Sequence, residues 1–364
     1  MQKIKSKIKI SVLPFIFLFL IFGCGNTNSK TAESTEANNK DSKFMLVDNP
    51  AEEKVEVWID SELFTSYMYP DNIAKPVLYP IRTVSGKVLT RSYPLESIPG
   101  ERVDHPHHIG IWMNYGDVNG LDFWNNSEAI SESKKDRYGS IFHKEVKNIE
   151  NGDESGSMDV VCEWKAPDGT ILLEENTKFV FTAEENSIII DRITTLKALD
   201  KEVSLKDNKE GMIAIRVARA LELPSEKPDI FLDAHGNPTE TKVLDNTGVN
   251  GNYLSSEGVE GGEVWATRAR WMKLHSTIDD EKVALVIFDH PDNVGYPTYW
   301  HARGYGLFAA NPLGQEVFSK GENVLDFKLA ANESVTFKYR VLVHSTTELS
   351  SEAINTMADD FSEK

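Results

Sequence analysis

Val335-Thr-Phe-Lys-Tyr-Arg-Val-Leu-Val-His344 alternates apolar and polar side chains. Val335, Phe337, Tyr339, Val341 and Val343 fall on one face, and Lys338 and Arg340 on the other. That period of two marks a strand with one buried side. The same pattern recurs upstream in Val55-Glu-Val-Trp-Ile-Asp60, Thr177-Lys-Phe-Val-Phe-Thr182, Ser187-Ile-Ile-Ile-Asp-Arg-Ile-Thr-Thr-Leu196 and Val283-Ala-Leu-Val-Ile-Phe-Asp289. Turn-forming clusters lie between many of the runs, at Asn151-Gly-Asp153, Pro167-Asp-Gly169, Glu260-Gly-Gly262 and Lys320-Gly-Glu-Asn323. Alternating βα units are missing, which argues against Rossmann and α/β-barrel folds. One helix is expected, at the C-terminus, capped by Ser350 or Ser351 and carrying Ile354, Met357 and Phe361 on one face. The expected fold is all-β: a single large antiparallel sandwich or supersandwich over residues 44–364, closed by that short helix.

The N-terminus reads differently. Lys3, Lys5, Lys7 and Lys9 form a positive region, Val12 to Phe22 an apolar one, and Ile21-Phe22-Gly23-Cys24 has the shape of a lipobox. The apolar run is about half the ~20 residues that a spanning helix needs. Residues 1–23 are therefore expected to be a lipoprotein signal peptide, with Cys24 acylated so that lipid chains tether the protein to the membrane. Residues 24–43, rich in Asn, Ser, Thr and Lys, read as a flexible tether. The expected location is the cell envelope, on the periplasmic face of the outer membrane, with surface exposure left open.

Beyond Cys24 the one other cysteine is Cys162, in the strand-like Met158-Asp-Val-Val-Cys-Glu-Trp164. It is most simply a small buried apolar side chain, and no disulfide framework exists. The formal charge is −18, and loss of the four leader lysines makes it more negative still. Such a field repels nucleic acid and anionic membrane surfaces. A short anionic oligosaccharide can still bind where basic side chains concentrate in a pocket.

Three polar clusters interrupt the strands. The first runs from Asp104 to Trp124 and holds three of the nine histidines, His105, His107 and His108. On an extended backbone His105 and His107 point one way and His108 the other. Pro106 stiffens the segment and pushes His105 toward extended geometry. Trp112, Tyr115 and Trp124, among Gly110, Gly116 and Gly120, suggest aromatic platforms that stack on sugar rings. The second cluster, Lys206 to Arg219, places Lys209 and Glu210 at the mouth of a strand carrying Arg216; the pair is a structural ion pair unless it is enclosed. The third, Asp289 to Pro312, brings His290 to a strand end, sets Tyr299, His301 and Arg303 in phase, and adds Tyr296, Trp300 and Tyr305 as aromatic surface. His143, His235, His275 and His344 are isolated and read as structural or surface groups, and Trp164, Trp265 and Trp271 as core. No P-loop, Rossmann glycine fingerprint, HExxH or GxSxG element occurs.

Together, Asp104-His-Pro-His-His-Ile-Gly-Ile-Trp112, Gly116-Asp-Val-Asn-Gly-Leu-Asp-Phe-Trp124, Lys209-Glu-Gly-Met212 and Trp300-His-Ala-Arg-Gly-Tyr-Gly-Leu-Phe-Ala-Ala-Asn-Pro312 resemble the exported bacterial family labelled "methane oxygenase PmoA". The resemblance extends from about Lys54 to Ser345. It implies an exported protein associated with polysaccharide breakdown, with a pattern similar to galactose-mutarotase-like supersandwiches. Methane oxygenase subunits are membrane-embedded, whereas no spanning segment follows the leader here.

The chemistry that fits these residue types is β-elimination on a uronate-containing oligosaccharide, by a lyase or dehydratase. A base removes the proton beside the carboxylate, a cation or metal neutralises the developing enolate, and an acid protonates the leaving oxygen. His105, His107, His108, His290 and His301 are candidate bases or acids, and Tyr299 another acid. Arg216, Arg303 and Lys209 are candidate carboxylate clamps. Glu210, Trp112, Trp124 and Trp300 complete the candidate substrate contacts. A divalent metal stays open: His105 and His107 with His290 or His301 could hold Zn²⁺ or Mn²⁺, or the histidines act only in proton transfer. The alternatives are a mutarotase or epimerase, which forms no double bond, and a sugar-binding lipoprotein without chemistry. No Asp/Glu pair of the kind used in glycoside hydrolysis stands out.

Overall fold

In the computed structural model, residues 42–225 and 246–364 are described, with single residues 231, 233, 235, 237 and 239 between them. The expected signal peptide, the acylation site Cys24 and all but the end of the tether lie outside the described residues. Two eight-stranded antiparallel sheets dominate. The first runs, in spatial order, Phe44–Asn49, Lys54–Ile59, Glu62–Met68, Val77–Tyr79, Ile111–Met113, Ile213–Arg216, Leu307–Asn311 and Tyr299–Arg303. The second runs Asn252–Ser255, Trp271–Ile278, Glu281–Asp289, Ser334–Ser345, Ser187–Ala198, Ile171–Glu184, Gly156–Lys165 and Ser140–Glu150. A two-stranded ribbon pairs Val203–Leu205 with Phe327–Leu329. This is the all-β supersandwich that the alternating pattern predicts.

The period of two decides what each face meets. From Ser334–Ser345, Phe337, Tyr339, Val341 and Val343 enter the core between the sheets, with Ile213, Ile215, Trp300, Ala302, Phe308 and Ala310 opposite them. The next residues in phase turn away from that core. On the second sheet Ile189, Trp271, Val286, Phe288 and Leu342 meet the C-terminal helix Ser351–Ser362 through Ile354, Ala358 and Phe361. Ser350 Oγ caps the helix by accepting from Ala353 N at 3.2 Å. On the first sheet the outward set is Trp112, Ala214, Leu307 and Ala309, covered by Ile73, Leu95, Ile109, Trp124 and Tyr305. The site described below is built on this outward face. A second short helix, Gln315–Ser319, was not evident from the sequence. Cys162 is buried, 3.3 Å from the Tyr67 hydroxyl.

Candidate active site

Pro106 does not extend the histidine segment; it bends it. His108 N donates to His105 O at 3.0 Å, closing a turn with Pro106 and His107 at its centre. His105 itself has φ 44°, in the left-handed region. The expectation that His105 and His107 alternate with His108 along an extended chain is therefore corrected. The turn gathers all three imidazoles, with ring centroids 5.6 Å apart for His105–His107, 4.9 Å for His105–His108 and 4.3 Å for His107–His108. A non-glycine residue in this conformation stores about 1–3 kcal/mol and persists only where its surroundings over-determine it.

Those surroundings are two buried arginines. Arg91 Nη2 donates to the carbonyls of His105 (2.9 Å) and His108 (3.1 Å), and its Nη1 to the Asp104 carbonyl (2.7 Å). Asp104 Oδ1 accepts from Arg91 Nη1 and Arg216 Nη2, each at 2.8 Å. Arg216 Nη1 lies 3.3 Å from His108 Nδ1, which leaves the His108 proton on Nε2. Burial alone would raise the Asp104 carboxyl, but the His105 imidazole and the charges of Arg216 and Arg91 hold it well below the usual carboxylate range. Gly110, φ 55°, docks the turn on the sheet: a Cβ there would lie 2.1 Å from the Leu78 carbonyl oxygen.

The second and third clusters join the first. His105 stacks on Tyr305 at 5.3 Å, and the Arg216 guanidinium sits 4.9 Å from the same Tyr305 ring. His301 Nδ1 lies 3.7 Å from Glu210 Oε2. Gly116 packs so closely on Glu210 that a Cβ would lie 2.7 Å from the Glu210 Cβ, and Gly116 N donates to Glu210 O at 2.8 Å. Burial, with Lys209 and Arg303 nearby, pushes the His301 imidazole down to about 3. Burial likewise holds His107 and His108 well below the ordinary histidine value, so both are neutral bases or donors at physiological pH. The Tyr305 phenol is raised by burial and stays protonated. His105, with a side chain 40 % exposed, is the most accessible of the turn's three imidazoles, and its Nδ1 is 3.2 Å from Asp104 Oδ2.

Several sequence-derived candidates do not reach this site. His290 lies on the far sheet, its ring 5.0 Å from Phe361 of the C-terminal helix, because its strand ends where that helix packs. The proposed metal sets that include it are therefore not assembled. Among the described residues, no group of three or more His, Cys, Asp or Glu side chains is arranged to hold a metal ion. Tyr299 shares the His301 face, but its ring stacks on Phe318 and its hydroxyl accepts from Asn323 Nδ2 at 3.3 Å, so it belongs to the packing beside the site. Trp112, Trp124 and Trp300 are 0 % exposed and cannot stack on a sugar. Trp112 and Trp124 form the floor under His108 at 5.1 and 5.8 Å, and Trp300 enters the inter-sheet core. Arg216 and Lys209 are committed to Asp104 and Glu210. Arg303 is exposed, over the ring of Trp265 at 5.4 Å. Trp265, read as core from the sequence, is half-buried, packed on Phe318 beneath Arg303. Tyr305 was read only as aromatic surface, and Arg91 and Lys75 were missed altogether, because nothing local marks a residue whose partners are distant in the chain.

The chain belongs to the family of unknown function DUF6807, which matches residues 54–359. No curated protein matches its sequence. Among solved structures it is similar to the GH36 α-galactosidase AgaB of Geobacillus stearothermophilus, at 12 % identity and TM-score 0.40, covering 83 % of this chain and 41 % of that one. An α-galactosidase from Lactobacillus brevis matches at 10 % identity and TM-score 0.39, covering 85 % and 40 %. A galactose mutarotase related enzyme from Lactobacillus acidophilus matches at 11 % identity and TM-score 0.31, covering 84 % of this chain and 98 % of that one. The chain spans about two-fifths of the length of the α-galactosidases it matches.

Proposed function

We propose that this member of the DUF6807 family is a carbohydrate-active enzyme that acts on uronate-containing oligosaccharides by β-elimination, as a lyase or dehydratase. The observation that carries the reading is the accessible His105 imidazole, held between the Asp104 carboxylate and the Tyr305 ring, with the Arg303 charge acting on Tyr305 and His301. His105 takes the proton beside the substrate carboxylate, and Asp104 stabilises the imidazolium that forms. The electron pair of that C–H bond becomes the new double bond as the C–O bond breaks. The leaving oxygen takes its proton from the Tyr305 phenol. Arg303, which lies over the Trp265 ring and makes no ion pair among the described residues, neutralises the carboxylate as enolate charge develops.

The test is incubation of the protein with a panel of uronate oligosaccharides, read by mass and by the ultraviolet absorbance of unsaturated uronate. Loss of one water means dehydration; cleavage into an unsaturated fragment means lyase action. A second reading, mutarotation or epimerisation, draws on the neighbouring Glu210 and His301 side chains as the groups that touch the sugar. It produces neither a mass change nor absorbance, so that outcome, with anomer interconversion by nuclear magnetic resonance, decides for it. Under the elimination reading, Arg303→Met removes a charged hydrogen bond worth about 1.5–3 kcal/mol. kcat/KM for the uronate substrate is expected to fall about tenfold to a hundredfold, measured by initial rates.

The leader supports the proposal that the protein is exported and lipid-anchored through Cys24. Cys24→Ser is expected to move the protein from the detergent phase to the aqueous phase on cell fractionation and to abolish palmitate labelling. Retention of the label would remove the anchor assignment.

A further inference from the structure

We infer that Lys75 binds an oxyanion substituent of the saccharide, a carboxylate or a sulfate ester, in the cavity beside His107. The inference rests on the saccharide reading above and names the group by which the substrate is recognised. Lys75 precedes the strand Val77–Tyr79 and is 2 % exposed. Its Nζ donates to the His107 carbonyl at 2.7 Å and lies 5.4 Å from the Trp112 ring. An ammonium carries three donors, and among the described residues the other two have no acceptor and no carboxylate lies within ion-pair distance. The adjoining cavity, about 250 Å³, is walled by Lys75, Tyr93, Pro106, His107 and Asn126. Past Asn126 and Ser127 it shares its wall with a wider cleft of about 530 Å³ that reaches Tyr138 and Phe142.

Charge decides the class of ligand. An ammonium buried without a counter-ion is costly, and burial brings Lys75 down to about 7 even with Asp122 acting on it through space. Asp122 acts on it only from a distance: no ion pair joins the two, and the Asp122 oxygens accept instead from Trp124 N, Asn125 N and Asn125 Nδ2 at 2.7–2.9 Å. Glu128 lines the cavity but is exposed at its edge. Sugar hydroxyls would accept hydrogen bonds and leave the charge uncompensated, whereas a carboxylate or sulfate supplies both. The turn that presents His105 to solvent is the same turn that walls this cavity through Pro106 and His107, so recognition and chemistry share one support.

The test is calorimetric titration of the full-length protein with glucuronate, glucose 6-sulfate and glucose. At least one of the two anionic sugars is expected to bind ten times or more tighter than glucose, and whichever does identifies the oxyanion. In Lys75→Met the preference is expected to fall below twofold with the melting temperature unchanged or raised, because replacing an unpaired buried charge by an apolar chain of similar volume relieves desolvation. If that variant fails to fold, the wild type still decides. Affinity for the anionic sugar should fall about tenfold per pH unit above neutrality as the free amine loses its proton, with glucose binding flat. His107 and Asp122 are the other titratable groups that act on or are acted on by Lys75, and His107 is already neutral there. Equal binding of all three sugars, binding of none, or a Lys75→Met protein that keeps its preference overturns the inference. Preferential binding without turnover on any uronate substrate would leave it standing and remove the elimination chemistry instead.

Discussion

Asp104→Asn is expected to cost about 3–5 kcal/mol of folding stability, the range seen when one partner of a buried ion pair is removed. One carboxylate oxygen accepts from both Arg91 and Arg216, whose side chains are 1 % and 0 % exposed. An amide leaves two guanidiniums buried with no compensating charge, and neither can lose its proton to escape. Arg91 also holds the carbonyls of Asp104, His105 and His108, so slackening it frees the turn that stores the His105 backbone strain. Urea unfolding at neutral pH measures the effect. Acid adds a signature. The Asp104 carboxyl is depressed in the folded state, so its contribution is fully present above the ordinary aspartate range. It is lost as pH falls from there through the depressed folded value. Wild-type stability should therefore decline more steeply than that of the variant in this acid window. Parallel curves would show that the carboxylate is not the counter-charge.

His105→Asn is expected to reduce turnover about 10²–10⁴-fold, the loss typical of removing a general base. Asparagine is the informative replacement because it tolerates the left-handed backbone that alanine would strain. The side chain is 40 % exposed, so stability should change little. Added imidazole should restore part of the rate if the missing group is a base, while substrate affinity stays near wild type because Lys75 and Arg303 are untouched. Undiminished turnover would shift the proton abstraction to His301 or Glu210. A rate loss without imidazole rescue would assign His105 a positioning role.

Much of the fold was legible in the sequence, since side-chain period is a local property. Val335 to His344 displays its buried face to anyone counting in twos, and Ile213 and Ile215 alternating with Arg216 do the same. The helix at Ser351–Ser362 is announced by its cap and its apolar spacing. The site was legible only as residue types. His105, Arg216, His301 and Glu210 were nominated from three separate stretches, and they do meet; Asp104, which ties the turn to both arginines, stood only as the first residue of its cluster. His290 sits in an equally polar context and was drawn away by the C-terminal helix.

What the sequence by itself determined is an antiparallel β protein with three polar interruptions rich in histidine and arginine. Tertiary structure alone decided which side of each strand faces the site. It turned Trp112 and Trp124 from apparent platforms into a buried floor, and made Lys75 an unpaired charge beside a cavity. The reason is physical: periodicity sets alternation between faces, but the layer packed against each face sets burial. Burial then decides whether an indole stacks on sugar and whether an ammonium lacks a counter-ion.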